Sequence, residues 1–169
     1  MKNKISLQEI IRDYDPSNTD YIAILYAGLE GAPAAIANIT RNQNSAATKI
    51  ASKGQWLGGV VGAGVAGGAG AVARMAFTII TVHERSLCLY ILNGWSMSML
   101  VEQKVTLPYA NIIKFKIGKF LIWTNLKLRF LGDGKEYKLN IKISRKVALV
   151  GNQKQNIEKT VEHLNKIFI

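Results

Sequence analysis

Cysteine occurs once in the 169 residues, at Cys88, and histidine twice, at His83 and His163. A single thiol cannot close an internal disulfide or build a cysteine-based zinc cluster, and two histidines leave little material for a multi-histidine metal centre. Acidic side chains are scarce: Asp and Glu total 11 against 22 Lys and Arg, a formal net charge of +11. The start of the chain lacks an export signal. Met1-Lys2-Asn3-Lys4 is basic, but Ile5-Ser6-Leu7-Gln8-Glu9 is no apolar h-region, so an intracellular location is expected. One unpaired cysteine agrees with a reducing compartment. There is no G-x-S-x-G, no Walker loop and no H-E-x-x-H, and the glycine-rich residues 58–70 lack the G-K-[ST] ending that cradles phosphate. His83 reads as a loop residue beside Glu84, His163 as exposed on a final helix, and Cys88 as buried packing in mid-strand. Neither catalysis nor a cofactor is expected.

What is present fits a folded chain. An apolar fraction of 49% with 20% charged residues argues against wholesale disorder, and the length suits one domain, or one domain with an appended segment. The charge is uneven. Residues 1–73 carry six basic and five acidic side chains, a balance of +1, and residues 74–169 carry sixteen and six, a balance of +10. Such asymmetry separates two regions and points to an anionic partner for the second.

The first region, residues 1–53, reads as helical. Ser6-Leu7-Gln8-Glu9 has capping-box spacing, so a short helix should run through Ile10, Ile11 and Arg12. Asp15-Pro16-Ser17-Asn18 reads as a turn. Tyr21 to Leu29 is apolar, and Pro33 can open a further helix over Ala34–Ile39. Residues 54–75 then form a small-residue segment with no charge between Lys53 and Arg74. Gly54, Gly58, Gly62, Ala66 and Gly70 recur at every fourth position, a stripe that lets another helix approach closely. The gap is about the length of a bilayer span. The segment resembles the glycine zippers of membrane proteins. It is read as a membrane attachment or a surface for homo-oligomers, with Tyr21–Thr40 as the other arm of a helical hairpin. A flexible linker or a buried soluble helix is the plainer alternative. Trp56 beside the stripe is either an interfacial anchor or core.

Residues 76–169 read as short strands closed by a helix. Runs at Phe77–Val82, Ser86–Leu92, Ser96–Leu107, Ile112–Ile117, Phe120–Leu131 and Glu136–Ser144 are β-branched, aromatic or alternating. Tight links fall at His83-Glu84-Arg85, Asn93-Gly94 and Gly118-Lys119. In Ser96–Leu107, Met97, Met99, Val101, Val105 and Leu107 should share one side. Ile157, Val161, Leu164 and Phe168 repeat at 4, 3 and 4, which predicts a helix starting near Asn152 or Gln155. The expected fold is α+β: a small antiparallel barrel or sandwich capped by a C-terminal helix, preceded by a helical, Gly/Ala-rich region.

This order of elements resembles the bacterial pleckstrin-homology-like (PH-like) domains over about Ala76–Ile169. Val82-His83-Glu84-Arg85 is similar to that family's V-T-x-x-R turn between its first two strands. Thr106-Leu107-Pro108-Tyr109-Ala110-Asn111-Ile112 is similar to its I-P-Y-x-D-I segment. Val82, Ser86 and Asn111 depart from the usual Thr, Leu and Asp. The resemblance implies a non-enzymatic binding or scaffold module, often membrane-linked. The basic signature of phosphoinositide-binding relatives is missing, since only Arg85 is available in the corresponding loop.

The strand pattern supplies a candidate surface. Alternation places Lys114 and Lys116 on one face of their strand, Lys127 and Arg129 on one face of the next, and Lys138 and Lys142 with Asn140 on one face of a third. If the strands pair in order, six cations share a surface on which Glu136 is the only acid of matching parity, and Arg145 and Lys146 extend it. A solubility face would interleave acids; a solvated lysine-rich face is nevertheless the simpler possibility. The functional expectation is a surface for an anionic membrane, tethered at the cytoplasmic side by the glycine-lined segment. Rival readings are a soluble nucleic-acid-binding module, with Trp123 the only aromatic that shares parity with Lys127 and Arg129, and a membrane-permeabilising or bacteriocin-like protein.

Overall fold

The computed structural model describes residues 4–30, 76–92, 99–132 and 134–168. The glycine-lined segment, Trp56, Asn93-Gly94 and Met97 lie outside the described residues. The chain opens with α1 (Leu7–Tyr14), capped as its sequence predicts: the Glu9 amide donates to Ser6 Oγ at 3.3 Å. Asp15-Pro16-Ser17 turns the chain, closed by Ser17 Oγ donating to Asp15 Oδ1 at 2.8 Å.

Seven strands follow: β1 (Ala23–Glu30), β2 (Ala76–Val82), β3 (Ser86–Leu92), β4 (Val101–Pro108), β5 (Ile112–Lys119), β6 (Trp123–Gly132) and β7 (Lys135–Ser144). They form one antiparallel sheet in the order β4-β3-β2-β1-β7-β6-β5. A small hairpin, β8 (Lys146–Val147) with β9 (Gly151–Asn152), leads into α2 (Lys154–Phe168). The architecture is α+β, as expected. The sheet does not close into a barrel: β4 and β5 share no ladder and are joined through a 3-10 turn over Tyr109–Asn111.

The expected hairpin arm Tyr21–Thr40 is not helical in its described part, residues 21–30, where Ala23–Glu30 is β1. This is a central strand buried on both faces, so the polar alternation that would mark it as a strand is missing. Residues on both sides of the Gly/Ala-rich stretch therefore contribute to one sheet, and the turn His83–Arg85 joins the second and third strands, not the first two. β1 pairs along its length with β2, from Ala23↔Val82 to Leu29↔Ala76, but with β7 only at Gly28↔Lys142, Leu29↔Ile141 and Glu30↔Asn140.

Where β1 and β7 part, Gln153 fills the gap. Its Oε1 accepts from the Tyr26 amide at 2.7 Å, and its Nε2 donates to the carbonyls of Tyr26 and Ser144, each at 3.0 Å. The side chain is 2% exposed and does the work of a missing strand residue.

Two apolar clusters hold the fold. One takes the inner face of all seven strands, with Leu25, Leu89, Leu128 and Ile141 at its centre, and packs against Ile157, Val161 and Leu164 of α2. The other lies on the opposite face of β1–β4, where Ile24, Ile79, Cys88, Tyr90 and Leu92 meet Leu7 and Ile11 of α1. Burying each large aliphatic side chain contributes about 1.5–3 kcal/mol. The single-sided reading of β4 fails at a bulge opposite Ile91/Leu92. Val105 and Leu107 face α2, but the bulge turns Val101 and Met99 to the α1 side.

Candidate anion-binding face

β5, β6 and β7 are adjacent, so the three lysine-rich strands do pair in order. Leu126, Leu128, Phe130, Leu139, Ile141 and Ile143 point into the core. The alternating residues therefore point outward, on the face that α1 covers in β1–β4 and that no described element covers here. Register sets them in cross-strand rows. Lys114, Arg129 and Lys138 form the first row, and Lys116, Lys127, Asn140 and Glu30 the second. Gly118, Asn125, Lys142 and Gly28 form the third. Residues directly opposite on paired strands lie about 4.5–5.5 Å apart, so like charges here oppose folding by a few tenths of a kcal/mol per pair.

Lys114, Lys116, Lys127, Arg129 and Lys138 line a surface concavity of about 520 Å³ together with Glu30, Leu128, Leu139 and Asn140. Two carboxylates temper the charge. Glu136 pairs with Arg129, as parity indicated. Glu30 accepts from Asn140 Nδ2 at 2.6 Å; it escaped the sequence reading because its strand was expected to be helical. Among the described residues the four lysines of the concavity form no ion pair. The amide oxygens of Asn125 and Asn140 are buried beneath this face without a hydrogen-bond partner.

Lys142 sits at the margin, its Nζ 4.8 Å from the centre of the Trp123 ring, a cation–π contact on the same face. Arg145 and Lys146 are exposed but fall at the β7–β8 corner, outside the concavity. The structure thus brings together five of the eight cations, places a sixth beside them and separates two. Gly54, Gly58, Gly62, Ala66 and Gly70 lie outside the described residues. Glu30, the last residue of β1 before that connection, is itself on the rim of the concavity.

A second polar cluster serves the fold. The Tyr90 hydroxyl donates to Asp15 Oδ2 at 2.9 Å and accepts from Asn18 Nδ2, while Lys104 Nζ reaches the same Asp15 oxygen at 2.5 Å. Burial pushes the Asp15 carboxyl up, but hydrogen bonds from Lys104, Ser17 and Tyr90 outweigh it and hold the group below its ordinary 3.8. Burial, with the Asp15 carboxylate beside it, pushes the Tyr90 hydroxyl above its ordinary 10.0. His163 is half-buried, not exposed on the helix surface as expected. Its Nε2 lies 3.0 Å from the His83 carbonyl, which also accepts from the Tyr109 hydroxyl at 2.9 Å. Since that carbonyl only accepts, His163 Nε2 carries the proton. Cys88 is buried, as expected, with Sγ 3.7 Å from Thr106 Oγ1.

Compared with known protein families and with curated proteins, the chain matches none. Among the described residues no helix is long and apolar enough to cross a membrane.

Proposed function

We propose that this is a non-enzymatic, PH-like module held at the cytoplasmic face of a membrane, where the outer face of β5–β7 engages anionic lipid headgroups. The observation that carries the reading is the convergence of Lys114, Lys116, Lys127, Arg129 and Lys138 on one concave surface that no described element covers. Near an anionic leaflet each such cation is worth about 1 kcal/mol, enough for peripheral binding when a second anchor is present. Residues 54–73 are that anchor in this reading, as an attachment or oligomerisation element. Paired Leu29 and Ala76 put the start and return of the intervening chain at one end of the sheet. Glu30 brings that end to the rim of the basic concavity. What supports the PH-like part of the reading is an antiparallel sheet followed by a C-terminal helix, with six of the seven strands within residues 76–169.

Fractionation of cells expressing the full chain tests the proposal. Sedimentation with membranes and release only by detergent are expected. A wholly soluble monomer that shifts single-stranded oligonucleotides would replace this reading with phosphate-backbone binding, for which Trp123 would offer base stacking. Leakage of dye from vesicles at low protein concentration would favour a permeabilising protein. Replacing Gly58, Gly62 and Ala66 with Leu should weaken self-association; unchanged self-association removes the zipper.

A further inference from the structure

The β5–β6 connection breaks the alternation on both sides of it. Phe120-Leu121-Ile122 reads in sequence as the start of a strand, yet the strand begins at Trp123 and these three residues form the hairpin tip. Tips of this kind favour Gly, Asn or Asp. Here three large apolar side chains occupy it, 50%, 90% and 64% exposed in order. The backbone does not demand them: among the described residues the only non-glycine with positive φ is Met99, so no unusual conformation selects residues at the tip. The tip is also held firmly. The Phe120 amide donates to the Trp123 carbonyl and the Arg145 amide to the Ile122 carbonyl, each at 2.9 Å. The apolar side chains are therefore displayed on a fixed support.

The surroundings identify what they face. The rings of Phe120 and Trp123 touch, with centroids 5.5 Å apart, and Lys142 caps the Trp123 indole from the basic face. Exposed Lys119 and Arg145 flank the tip in the backbone. An apolar point with a tryptophan at its base and cations around it matches a bilayer interface, where hydrocarbon lies beneath an anionic headgroup layer. We infer that the β5–β6 tip is a membrane wedge: Leu121 and Ile122 enter the acyl boundary, Trp123 sits at headgroup level, and the wedge orients the basic concavity toward the lipid surface. The inference rests on the lipid-binding reading above and adds a second, apolar contact to it.

The test uses the full chain with Trp56→Phe and Trp95→Phe, which leaves Trp123 as the only tryptophan. It is mixed with vesicles of phosphatidylcholine and phosphatidylglycerol, with and without brominated acyl chains. Blue-shifted emission quenched by the bromines is expected. Leu121→Ser with Ile122→Ser should weaken vesicle affinity about tenfold or more, because those side chains no longer enter hydrocarbon, with unchanged circular dichroism. Leu121→Phe should retain binding. If the chain binds anionic vesicles but the double serine variant binds equally and Trp123 is not quenched, the wedge is wrong and electrostatic lipid binding stands. If binding is indifferent to lipid charge and to Lys127→Glu with Arg129→Glu yet lost in the serine variant, the wedge stands and the basic face does not. No binding to any vesicle overturns both.

Discussion

The two halves of the sheet are built to different rules. Strands β1–β3 are covered on both faces, by α2 on one and α1 on the other, and their sequences are nearly continuous in apolar residues, as in Ser86-Leu-Cys-Leu-Tyr-Ile-Leu92; the edge strand β4 leaves Glu102 and Lys104 exposed. Strands β5–β7 are covered on one face only and alternate, as in Lys135-Glu-Tyr-Lys-Leu-Asn-Ile-Lys-Ile-Ser144, with one register shift in β5 between Ile112 and Lys114. The first half spends both sets of positions on packing. The second leaves one set free, and fills it with cations that repel one another. Mutual repulsion across a ladder works against stability, a cost that the proposed anionic partner would relieve.

Mutations can break or sharpen this contrast. The largest effect is expected in the doubly covered half. Leu89→Ala should destabilise by about 2–5 kcal/mol in urea unfolding, whereas Lys127→Ala on the open face should change stability by about 0.5 kcal/mol or less. Gln153→Ala should cost about 2–3 kcal/mol, because it strands the amide and carbonyl of Tyr26 at the seam where the two halves meet. The α1 side carries a pH dependence. With the folded Asp15 carboxyl below 3.8, its contribution is present above that value and is lost as pH falls through the lower folded value. Tyr90, shifted up, contributes below 10.0 and loses that contribution as pH rises further. Asp15→Asn should therefore flatten the acid limb of a stability–pH curve while leaving vesicle binding intact. The smallest effect has the opposite sign: Lys116→Glu, opposite Lys127, should raise stability by a few tenths of a kcal/mol at low salt, and the gain should fade at high salt.

The contrast also explains what could be read from the sequence. β5–β7 alternate because one face is open, so their faces, and with them the basic surface, were legible residue by residue. The final helix was legible from Ile157, Val161 and Leu164, which do face the core. β1 was not, because a strand buried on both sides carries no alternation and Tyr21–Leu29 fits a helix as well. Glu30 was lost with it. The bulge in β4 was hidden because a single inserted residue leaves hydrophobic spacing intact on either side while exchanging the faces. The β5–β6 turn was placed too early, at Gly118-Lys119, which belong to β5, because Phe120-Leu121-Ile122 contains none of the residues that mark turns.

The central claim is that the open face of β5–β7 is a surface for anionic lipid. It is tested most directly by vesicle affinity for the full chain and for Lys127→Glu/Arg129→Glu/Lys138→Glu, compared at low and physiological salt. The expected result is binding to phosphatidylglycerol-containing vesicles that falls as salt rises and is lost in the triple variant. Equal affinity in the two proteins, or binding that ignores salt, would contradict it.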